Sequence, residues 1–221
     1  MNPKENAAKY VIPWIQDGMV VGLGSGSTSG YFIELLATAI REQGLHIRGV
    51  ATSRASAQLA AKQGIPLVDL NEVPRIDITV DGADEIDPQK RLIKGHGGAH
   101  VREKIVASCS RELIIIADQS KLVEKLGKRP LPVEILTFGS TATRAKIEAL
   151  GYRGSWRLTP EKSPVITDNG NMLFDIHFAN EPELVHERLR ALPGVVDTGF
   201  FFGLARRIII GYEDGRVELL N

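Results

Sequence analysis

Short apolar segments alternate with amphipathic helical segments through the first half of the sequence, and a different order of elements follows in the second half. The alternation is typical of a parallel sheet covered by helices. The order strand–helix–hairpin–helix–strand in the second half is typical of a small ferredoxin-like sandwich. The sequence therefore predicts an α/β fold, with a Rossmann-like parallel-sheet domain and a second, smaller ferredoxin-like α+β domain.

Five apolar segments in the first half predict the parallel strands. The clearest is 113–117, whose unbroken apolar run is expected for a strand buried on both faces. A helix is predicted over 27–43, ended by Gly44, and another up to residue 63, capped by Thr52 or Ser53 and ended by Gly64. The predicted strands are 19–23, 47–51, 67–70, 76–80 and 113–117.

The character of the sequence changes after residue 126, where a proline-bearing connector over 127–132 predicts a domain boundary. Beyond it, strands are predicted at 133–138 and 195–202, and helices at 140–150 and 181–192. A hairpin is predicted around the turn at 168–171, because Asn-Gly favours tight turns. A final hairpin, 207–212 with 217–220, is expected to return to the first domain. The predicted domains are 1–127 with 205–221, and 128–204.

Composition excludes several classes of function. The 221 residues include 27 basic and 27 acidic ones, so the net charge of zero disfavours general attraction to nucleic acid or to anionic membranes. The first ten residues do not resemble a signal peptide, and no apolar run approaches the roughly 18 residues of a membrane span. The single cysteine, Cys109, excludes an intrachain disulfide and fits a reducing cytoplasm.

A glycine-rich segment, Gly22-Leu23-Gly24-Ser25-Gly26-Ser27-Thr28, ends the first predicted strand and opens the first predicted helix. Glycines let the backbone approach an anion, and the free N–H groups at a helix start favour phosphate. Ser27 replaces the third glycine of a dinucleotide fingerprint, and no acidic residue ends the second strand. We therefore predict a compact phosphate pocket with hydroxyl donors from Ser25, Ser27 and Thr28. A strand-to-helix turn without a ligand is the alternative.

Asp81 and Asp84 follow the strand predicted at 76–80 and are separated by the small residues Gly82 and Ala83. Carboxylates at the end of a strand, near a glycine loop and a lysine, suit proton transfer on a small anionic substrate. One alternative is a solvated acidic turn. Another is a magnesium site that includes Glu85 and Asp87, but Lys94 in the same segment disfavours a cation.

Four further residue types have simple interpretations from pattern alone. Glu103 lies off the apolar stripe of Val101, Ile105 and Cys109, so it is expected to be solvated, as is Lys121. Cys109 on that stripe is interpreted as core packing and not as a nucleophile. His96 and His100 lack acidic or thiol partners at ligand spacing, so no metal site is predicted.

The order of these motifs resembles the type A ribose-5-phosphate isomerase family. The resemblance rests on motifs that run through nearly the whole chain with consistent spacing. They are Gly24-Ser25-Gly26-Ser27-Thr28, Val80-Asp81-Gly82-Ala83-Asp84-Glu85, Lys94-Gly95-x-Gly97, Arg102-Glu103-Lys104, Leu126-Gly127-Lys128-x-Pro130-Leu131-Pro132-Val133-Glu134, Val165-Ile166-Thr167-Asp168-Asn169-Gly170-Asn171 and Pro193-Gly194-Val195-Val196. His96 stands where many members carry glycine.

The resemblance implies interconversion of D-ribose 5-phosphate and D-ribulose 5-phosphate through an enediolate, without a metal or an organic cofactor. It makes Glu103 the base, Lys94 the stabiliser of the oxyanion and Asp81 the group that assists ring opening, while Asp84 holds substrate hydroxyls. Lys4 could reach the phosphate. The substrate-binding residues it implies are Ser25, Gly26, Ser27, Thr28, Asp81, Gly82, Ala83, Asp84, Lys94, Gly95, His96, Gly97 and Lys121.

Two other functions remain open at the level of the sequence. An amino-sugar-phosphate deaminase has a related α/β fold, and release of ammonia from glucosamine 6-phosphate would identify it. A sugar-phosphate sensor would bind ligand without turnover. As partners we expect a small sugar phosphate and a second copy of the chain in a homodimer, with no nucleic acid and no membrane.

Overall fold

The structure is a computed structural model that describes residues 2–221. Its helices are α1 Pro3–Val11, α2 Ser27–Gln43, α3 Arg54–Lys62, α4 His100–Ser108, α5 Ser140–Ala149 and α6 Pro182–Arg190. Its strands are β1 Val20–Leu23, β2 Arg48–Ala51, β3 Ile78–Asp81, β4 Glu85–Ile86, β5 Leu92–Ile93, β6 Leu113–Asp118, β7 Leu131–Ile135, β8 Arg153–Trp156, β9 Met172–His177, β10 Val195–Thr198, β11 Phe200–Phe201, β12 Ala205–Gly211 and β13 Val217–Leu220.

The chain divides into two compact units by the packing of its Cα atoms. The first comprises Met1–Ala83, Arg102–Leu122 and Phe202–Asn221, and the second comprises Asp84–Val101 and Val123–Phe201. This division differs from the predicted domain bounds chiefly in segment 84–101, which the packing groups with the second unit. The predicted bounds stay a prediction.

The first unit is built on a six-stranded sheet with the order β13-β12-β6-β3-β1-β2. All neighbours are parallel except β12 and β13. One face packs against α1 and α2, through residues such as Val11 and Phe32, and the opposite face packs against Val106 of α4. The predicted parallel-sheet domain and the return of the final hairpin to it are confirmed.

The second unit contains a four-stranded antiparallel sheet with the order β10-β7-β9-β8. The chain runs β7-α5-β8-β9-α6-β10, so the first strand lies centrally beside the third and the fourth. This is the ferredoxin-like arrangement that the sequence predicts. A small three-stranded sheet, β11-β5-β4, belongs to the same unit.

Three predicted strands differ from the structure. The segment 67–70 makes only one bridge, from Leu67 to Gly49, because a 3₁₀ turn begins at Leu70. The turn at 168–171 is present, but the segment before it makes only a single bridge to β9, which pairs with β7 and β8 instead. The strand predicted at 195–202 is split into β10 and β11 at Gly199, where an added Cβ would lie 2.2 Å from the carbonyl oxygen of Lys94.

The prediction that Cys109 packs in the core is wrong. Cys109 is exposed, and Ile105 on the same stripe is 48% exposed. The side of α4 that packs inward carries Val106 and Ala107 instead. A nine-residue helix has too few turns for an apolar stripe to identify its buried face.

The helices of residues 2–221 include none with both the length and the apolar character needed to cross a membrane.

A buried carboxylate joins β7 to the turn before β9 in the second unit. Glu134 is fully buried, and its Oε1 accepts hydrogen bonds from Thr167 Oγ1 at 3.0 Å, Asn169 Nδ2 at 2.9 Å and Asn171 Nδ2 at 2.8 Å. Thr167 and Asn171 are themselves buried. Because both lose access to water on folding, they depend on Glu134 as an acceptor.

Replacing Glu134 by alanine is expected to lower the free energy of unfolding by about 2–4 kcal/mol, since two buried donors would be left without an acceptor. Chemical denaturation followed by circular dichroism measures this change. Glu148→Ala is the control, because Glu148 only pairs with Arg144 one helical turn away at 2.9 Å and such pairs contribute about 0.5 kcal/mol or less. Equal losses in the two variants would contradict the role of Glu134.

Candidate active site

One group of candidate residues lies in the first unit, at the point where the strand order of its sheet reverses. The chain leaves β1 to form β2 on one side and returns to form β3 on the other side, so the loops after β1 and β3 diverge and leave a crevice at the carboxyl ends of these strands. The N–H of Gly24 donates to the carbonyl of Val80 at 2.9 Å, and the N–H of Ser25 donates to Asp81 Oδ1 at 3.0 Å. The glycine-rich loop after β1 and the carboxylate of Asp81 therefore lie in contact.

Glycine is required at position 24 because of this close approach. A Cβ there would lie 2.2 Å from Asp81 Oδ1 and 2.6 Å from Asp81 Cα. Asp81 is only 1% exposed, and its Oδ1 also accepts hydrogen bonds from Ser29 Oγ at 3.1 Å and from the N–H of Gly82 at 2.7 Å. Three donors on one oxygen fix the orientation of this carboxylate.

The hydroxyl of Ser25 takes part in a network with the loop after β2. Ser25 Oγ lies 2.8 Å from Thr52 Oγ1 and 2.7 Å from Ser53 Oγ. Ser53 also caps α3 through a capping box with Ser56. The sequence analysis identified Thr52 and Ser53 only as cap residues, but they also hold the glycine-rich loop.

Two lysines, Lys4 and Lys121, lie near the carboxyl end of β6. Lys4 Nζ is 3.1 Å from Ser27 Oγ. The preceding residue, Pro3, packs closely against Gly211, where an added Cβ would lie 1.8 Å from the Pro3 carbonyl oxygen. This contact holds the start of α1 and therefore places Lys4. Asp118, at the end of β6, interacts electrostatically with both Lys4 and Lys121. Two ammonium groups therefore lie at the carboxyl edge of the sheet.

Asp118 is a charged residue of this cluster that the sequence analysis did not single out. Burial acts to raise the pKa of Asp118. Two hydrogen bonds from Ser120, one from its side chain and one from its N–H, act in the opposite direction, as do the charges of Lys121 and Lys4. Together they outweigh burial and hold the pKa of Asp118 below its usual value of 3.8. An anionic Asp118 provides a counter-charge for the two lysines. Its position as the last residue of a buried strand was the signal that could have identified it.

Glu103 is buried, which corrects the expectation that it is solvated. It is 5% exposed on α4, on the side that also carries the buried Val106 and Ala107. The apolar stripe of Val101 and Ile105 had indicated the wrong face of this helix. A buried glutamate is a candidate for acid–base chemistry, because carboxylates are seldom buried without a structural or functional reason.

In the second unit, the antiparallel pair β4–β5 brings Asp84 and Lys94 to adjacent positions. The N–H of Asp84 donates to the carbonyl of Ile93 at 2.8 Å, and Lys94 follows β5 directly. Lys94 is 3% exposed and its Nζ lies 5.4 Å from the centre of the Phe201 ring. The loop 95–98 then turns back, with the N–H of Gly98 donating to the carbonyl of Gly95 at 2.9 Å.

His96 fits this loop without strain. Positive φ angles among non-glycine residues of the described chain occur only at Lys90 and Lys162, whereas Gly95 and Gly98 have φ of 104° and 80°. The N–H of His96 donates to Asp84 Oδ2 at 2.9 Å, and its Nε2 lies 3.0 Å from the carbonyl of Pro130. The loop therefore needs glycine at positions 95 and 98, but it accepts a side chain at 96.

Among the side chains of residues 2–221, no group of three or more histidines, cysteines, aspartates or glutamates is arranged to hold a metal ion.

Gly24→Ala is expected to lower the free energy of unfolding by about 1–3 kcal/mol, since the new methyl group must displace Asp81. Gly30→Ala in α2 is the matched control and should instead stabilise the protein by about 0.5–1 kcal/mol, because its nearest neighbour would be Leu59 Cδ2 at 3.8 Å. Thermal or urea unfolding of both variants checks the opposite signs. A neutral Gly24→Ala would contradict the close approach of β1 and β3.

Comparison with known proteins identifies the family. The sequence model of ribose 5-phosphate isomerase A (phosphoriboisomerase A) matches residues 48–215. Ribose-5-phosphate isomerase A of Protochlamydia amoebophila (strain UWE25) is 46% identical over 220 residues, which cover 98% of this chain and 94% of that protein.

Two solved structures agree over almost the whole chain. Ribose 5-phosphate isomerase A from Methanocaldococcus jannaschii is 39% identical with a TM-score of 0.94, and the match covers 99% of this chain and 97% of that one. A D-ribose-5-phosphate isomerase in complex with phospho-erythronic acid is 37% identical with a TM-score of 0.94, and the match covers 100% of both chains. The resemblance predicted from the motifs is confirmed, and the chain belongs to the ribose 5-phosphate isomerase A family.

Proposed function

We propose that this chain interconverts D-ribose 5-phosphate and D-ribulose 5-phosphate through an enediolate, using its own side chains and backbone groups. Isomerisation of ribose 5-phosphate is the activity of the family to which the chain belongs. The observation that carries the proposal for this chain is the carboxyl edge of the first sheet. There the buried Asp81 contacts a glycine-rich loop, Lys4 contacts Ser27 at the helix start that follows this loop, and Asp118 interacts with both Lys4 and Lys121.

The phosphate is proposed to bind at the start of α2. The N–H groups of the first helical turn point out of the helix and favour an anion. Ser27 and Thr28 lie in that turn, and Lys4 contacts Ser27. Lys121 supplies the second cation, and Asp118 keeps both lysines in place when no substrate is bound.

Glu103 is proposed to be the base. Its carboxylate removes the proton from C2 of the open-chain aldose, the electron pair forms the C1–C2 double bond, and negative charge develops on O1. O1 then gains a proton and the 2-hydroxyl loses its own, so that O2 becomes the carbonyl as Glu103 returns its proton to C1 and completes the conversion to the ketose. Burial of Glu103 supports this role, because a site shielded from bulk water limits side reactions of the reactive enediolate.

Asp81 is proposed to open the sugar ring and to move protons between the hydroxyl oxygens. Ring opening needs a group that takes the proton of the C1 hydroxyl and gives one to the ring oxygen. The hydrogen bonds on Oδ1 from Ser25, Ser29 and Gly82 hold the carboxylate in one orientation. A carboxylate positioned in this way is suited to repeated proton exchange with hydroxyl groups.

Lys94 and the N–H groups of loop 95–98 are proposed to stabilise the enediolate. A buried ammonium group next to an ordered glycine loop supplies fixed positive charge for an oxyanion without reorganisation during the reaction. Asp84, which accepts the N–H of His96, is proposed to hold substrate hydroxyls. The relative in complex with phospho-erythronic acid supports an enediolate intermediate, since that ligand carries a planar anionic carboxylate that resembles an enediolate.

We propose that the active form is a cytoplasmic homodimer that needs neither a metal nor an organic cofactor. The single cysteine and the zero net charge support a reducing compartment and a small-molecule partner. The homodimer rests on the family resemblance.

Purified protein incubated with D-ribose 5-phosphate, with D-ribulose 5-phosphate detected through a coupled enzyme, tests the function directly. Formation of the ketose is expected. Release of ammonia from glucosamine 6-phosphate, with no ketose formed from ribose 5-phosphate, would favour the deaminase instead.

Lys121→Ala is expected to lower kcat/KM for ribose 5-phosphate by about tenfold or more, because a charge-assisted contact to phosphate contributes about 1.5–3 kcal/mol. The same variant should leave the much slower isomerisation of free ribose unchanged, since that substrate has no phosphate. Steady-state kinetics with both sugars measures the difference, and Lys62→Ala, on the exposed side of α3, is the control. Equal losses on the two sugars would argue against phosphate binding by Lys121.

Glu103→Gln is expected to lower kcat by at least about 10²–10⁴-fold, because it keeps the size of the side chain but removes the proton acceptor. KM should change much less, since the phosphate contacts remain. Exchange of the C2 hydrogen with solvent deuterium should fall in parallel, because it reports the same proton abstraction.

Glu34→Gln is the control for this experiment, since Glu34 is an exposed helical glutamate of the same unit and should behave like the wild type. A Glu103→Gln protein that turns over at nearly the wild-type rate would transfer the role of base to Asp81 or Asp84.

A further inference from the structure

Arg157, just after β8 in the second unit, makes contacts to a distant loop that its sequence position does not suggest. Its NH1 group donates to the carbonyl oxygen of Gly95 at 2.8 Å and to that of His96 at 2.9 Å. On its other side, Nε donates to Asp175 Oδ2 at 2.8 Å, and NH2 donates to Asp175 Oδ1. Every nitrogen of the guanidinium group is therefore used.

From these contacts we infer that Arg157, held by Asp175, is a positioning residue for the isomerase reaction: it fixes the peptide planes of Gly95 and His96 so that the N–H of His96 holds Asp84 and the N–H of Gly97 faces the substrate. The inference rests on the proposed function of loop 95–98. Arg157 itself does not touch the substrate in this arrangement.

The geometry of the peptide bond connects the two sides of the loop. In a trans peptide the C=O and the following N–H point in opposite directions. The Gly95 carbonyl points to Arg157, and the N–H of the same peptide, that of His96, donates to Asp84 Oδ2 on the other side at 2.9 Å. The His96 carbonyl also points to Arg157, so the N–H of Gly97 is directed away from the guanidinium group.

The N–H of Gly97, directed away from the guanidinium group, can then donate to an oxyanion or a hydroxyl oxygen of the substrate, while the N–H of His96 holds the Asp84 carboxylate beside it. Nothing in a glycine-rich sequence fixes such an arrangement by itself, because Gly95 and Gly97 have wide conformational freedom. Anchoring both carbonyls from behind removes that freedom. The loop therefore enters the reaction already in the orientation that stabilises developing charge.

The chemistry of arginine suits this role better than that of lysine. The planar guanidinium group can hold a carboxylate with two nitrogens while a third nitrogen faces the two carbonyls. Asp175 neutralises the charge of Arg157 and holds its side chain, so the net electrostatic effect on the substrate is small. The pair acts through the geometry of the loop.

A small cavity of about 210 Å³, lined by His96, Pro130, Arg157 and Asp175, lies beside this pair. It gives access from solvent to the guanidinium position. A small cation of the same shape can therefore replace a truncated side chain, which makes chemical rescue possible.

The test compares the wild type with Arg157→Ala, Arg157→Lys and Asp175→Asn, with Arg153→Ala as the matched control because Arg153 is exposed on the neighbouring strand β8. For each protein, kcat and KM with ribose 5-phosphate, hydrogen exchange of amides 95–98 and the unfolding transition are measured. Guanidinium chloride at millimolar concentration, far below denaturing levels, is added to Arg157→Ala.

Arg157→Ala should lose about 10–100-fold in kcat, since a displacement of about 1 Å at a catalytic group can cost 10²-fold. Its KM should stay within about threefold of the wild-type value, and amides 96 and 97 should exchange at least about tenfold faster. Added guanidinium should restore part of kcat, whereas the Arg153→Ala control should match the wild type in every measurement. Arg157→Lys and Asp175→Asn should give intermediate losses of kcat.

A folded Arg157→Ala protein with wild-type kcat, or one that loses kcat with unchanged exchange at amides 96 and 97, would overturn the inference. If Arg157→Ala fails to fold, wild-type kcat in Arg157→Lys overturns it equally. A wild type that does not turn over ribose 5-phosphate rejects the proposed function instead, while the exchange measurement still shows whether Arg157 orders the loop.

Discussion

The close approach of β1 to β3 is the constraint on which the rest of the first unit depends. Glycines alternate along β1 and its loop, at positions 22 and 24, and each faces a polar side chain of β3. A Cβ on Gly22 would lie 1.9 Å from Thr79 Oγ1, and one on Gly24 would lie 2.2 Å from Asp81 Oδ1. The Gly-x-Gly of the first strand is therefore matched to Thr79-x-Asp81, because both pairs follow the two-residue period of a strand.

This match explains why a sequence that resembles part of a dinucleotide fingerprint serves another purpose. In a dinucleotide fold the second glycine lets the backbone approach a pyrophosphate. Here Gly24 makes room for the carboxylate of Asp81, and the N–H of Ser25 donates to that carboxylate. The helix start after Gly26, with Lys4 beside it, is the place proposed for a smaller anion.

The sequence was sufficient for elements whose signals are local. Helix α2 has the predicted bounds because Gly44, in a left-handed conformation, ends it. Ser53 caps α3 as predicted. The ferredoxin-like order of the second unit followed from the sequence of strands and helices, since that order leaves few ways to pair four strands.

The sequence was insufficient where the result depends on distant contacts. The buried side of α4 was assigned to Val101, Ile105 and Cys109 on apolar character, yet Glu103 is buried and Cys109 is exposed. Periodicity assumes that the inward side of a helix is apolar, and this assumption fails on α4, where a carboxylate is buried. Family motifs identified Glu103, whereas helical periodicity indicated a solvated surface residue.

The contacts that hold loop 95–98 also could not be predicted from the sequence. Arg157 is 61 residues from His96 in sequence, and no local pattern connects the two. The loop needs glycine where φ is positive, at Gly95 and Gly98, and these positions are visible in the sequence. The orientation of its peptide planes is set instead by an arginine on another element. That arrangement also explains why the loop accepts His96. Position 96 has an ordinary φ, so a histidine side chain fits there. Because Arg157 holds the carbonyls of Gly95 and His96, the N–H of His96 still reaches Asp84.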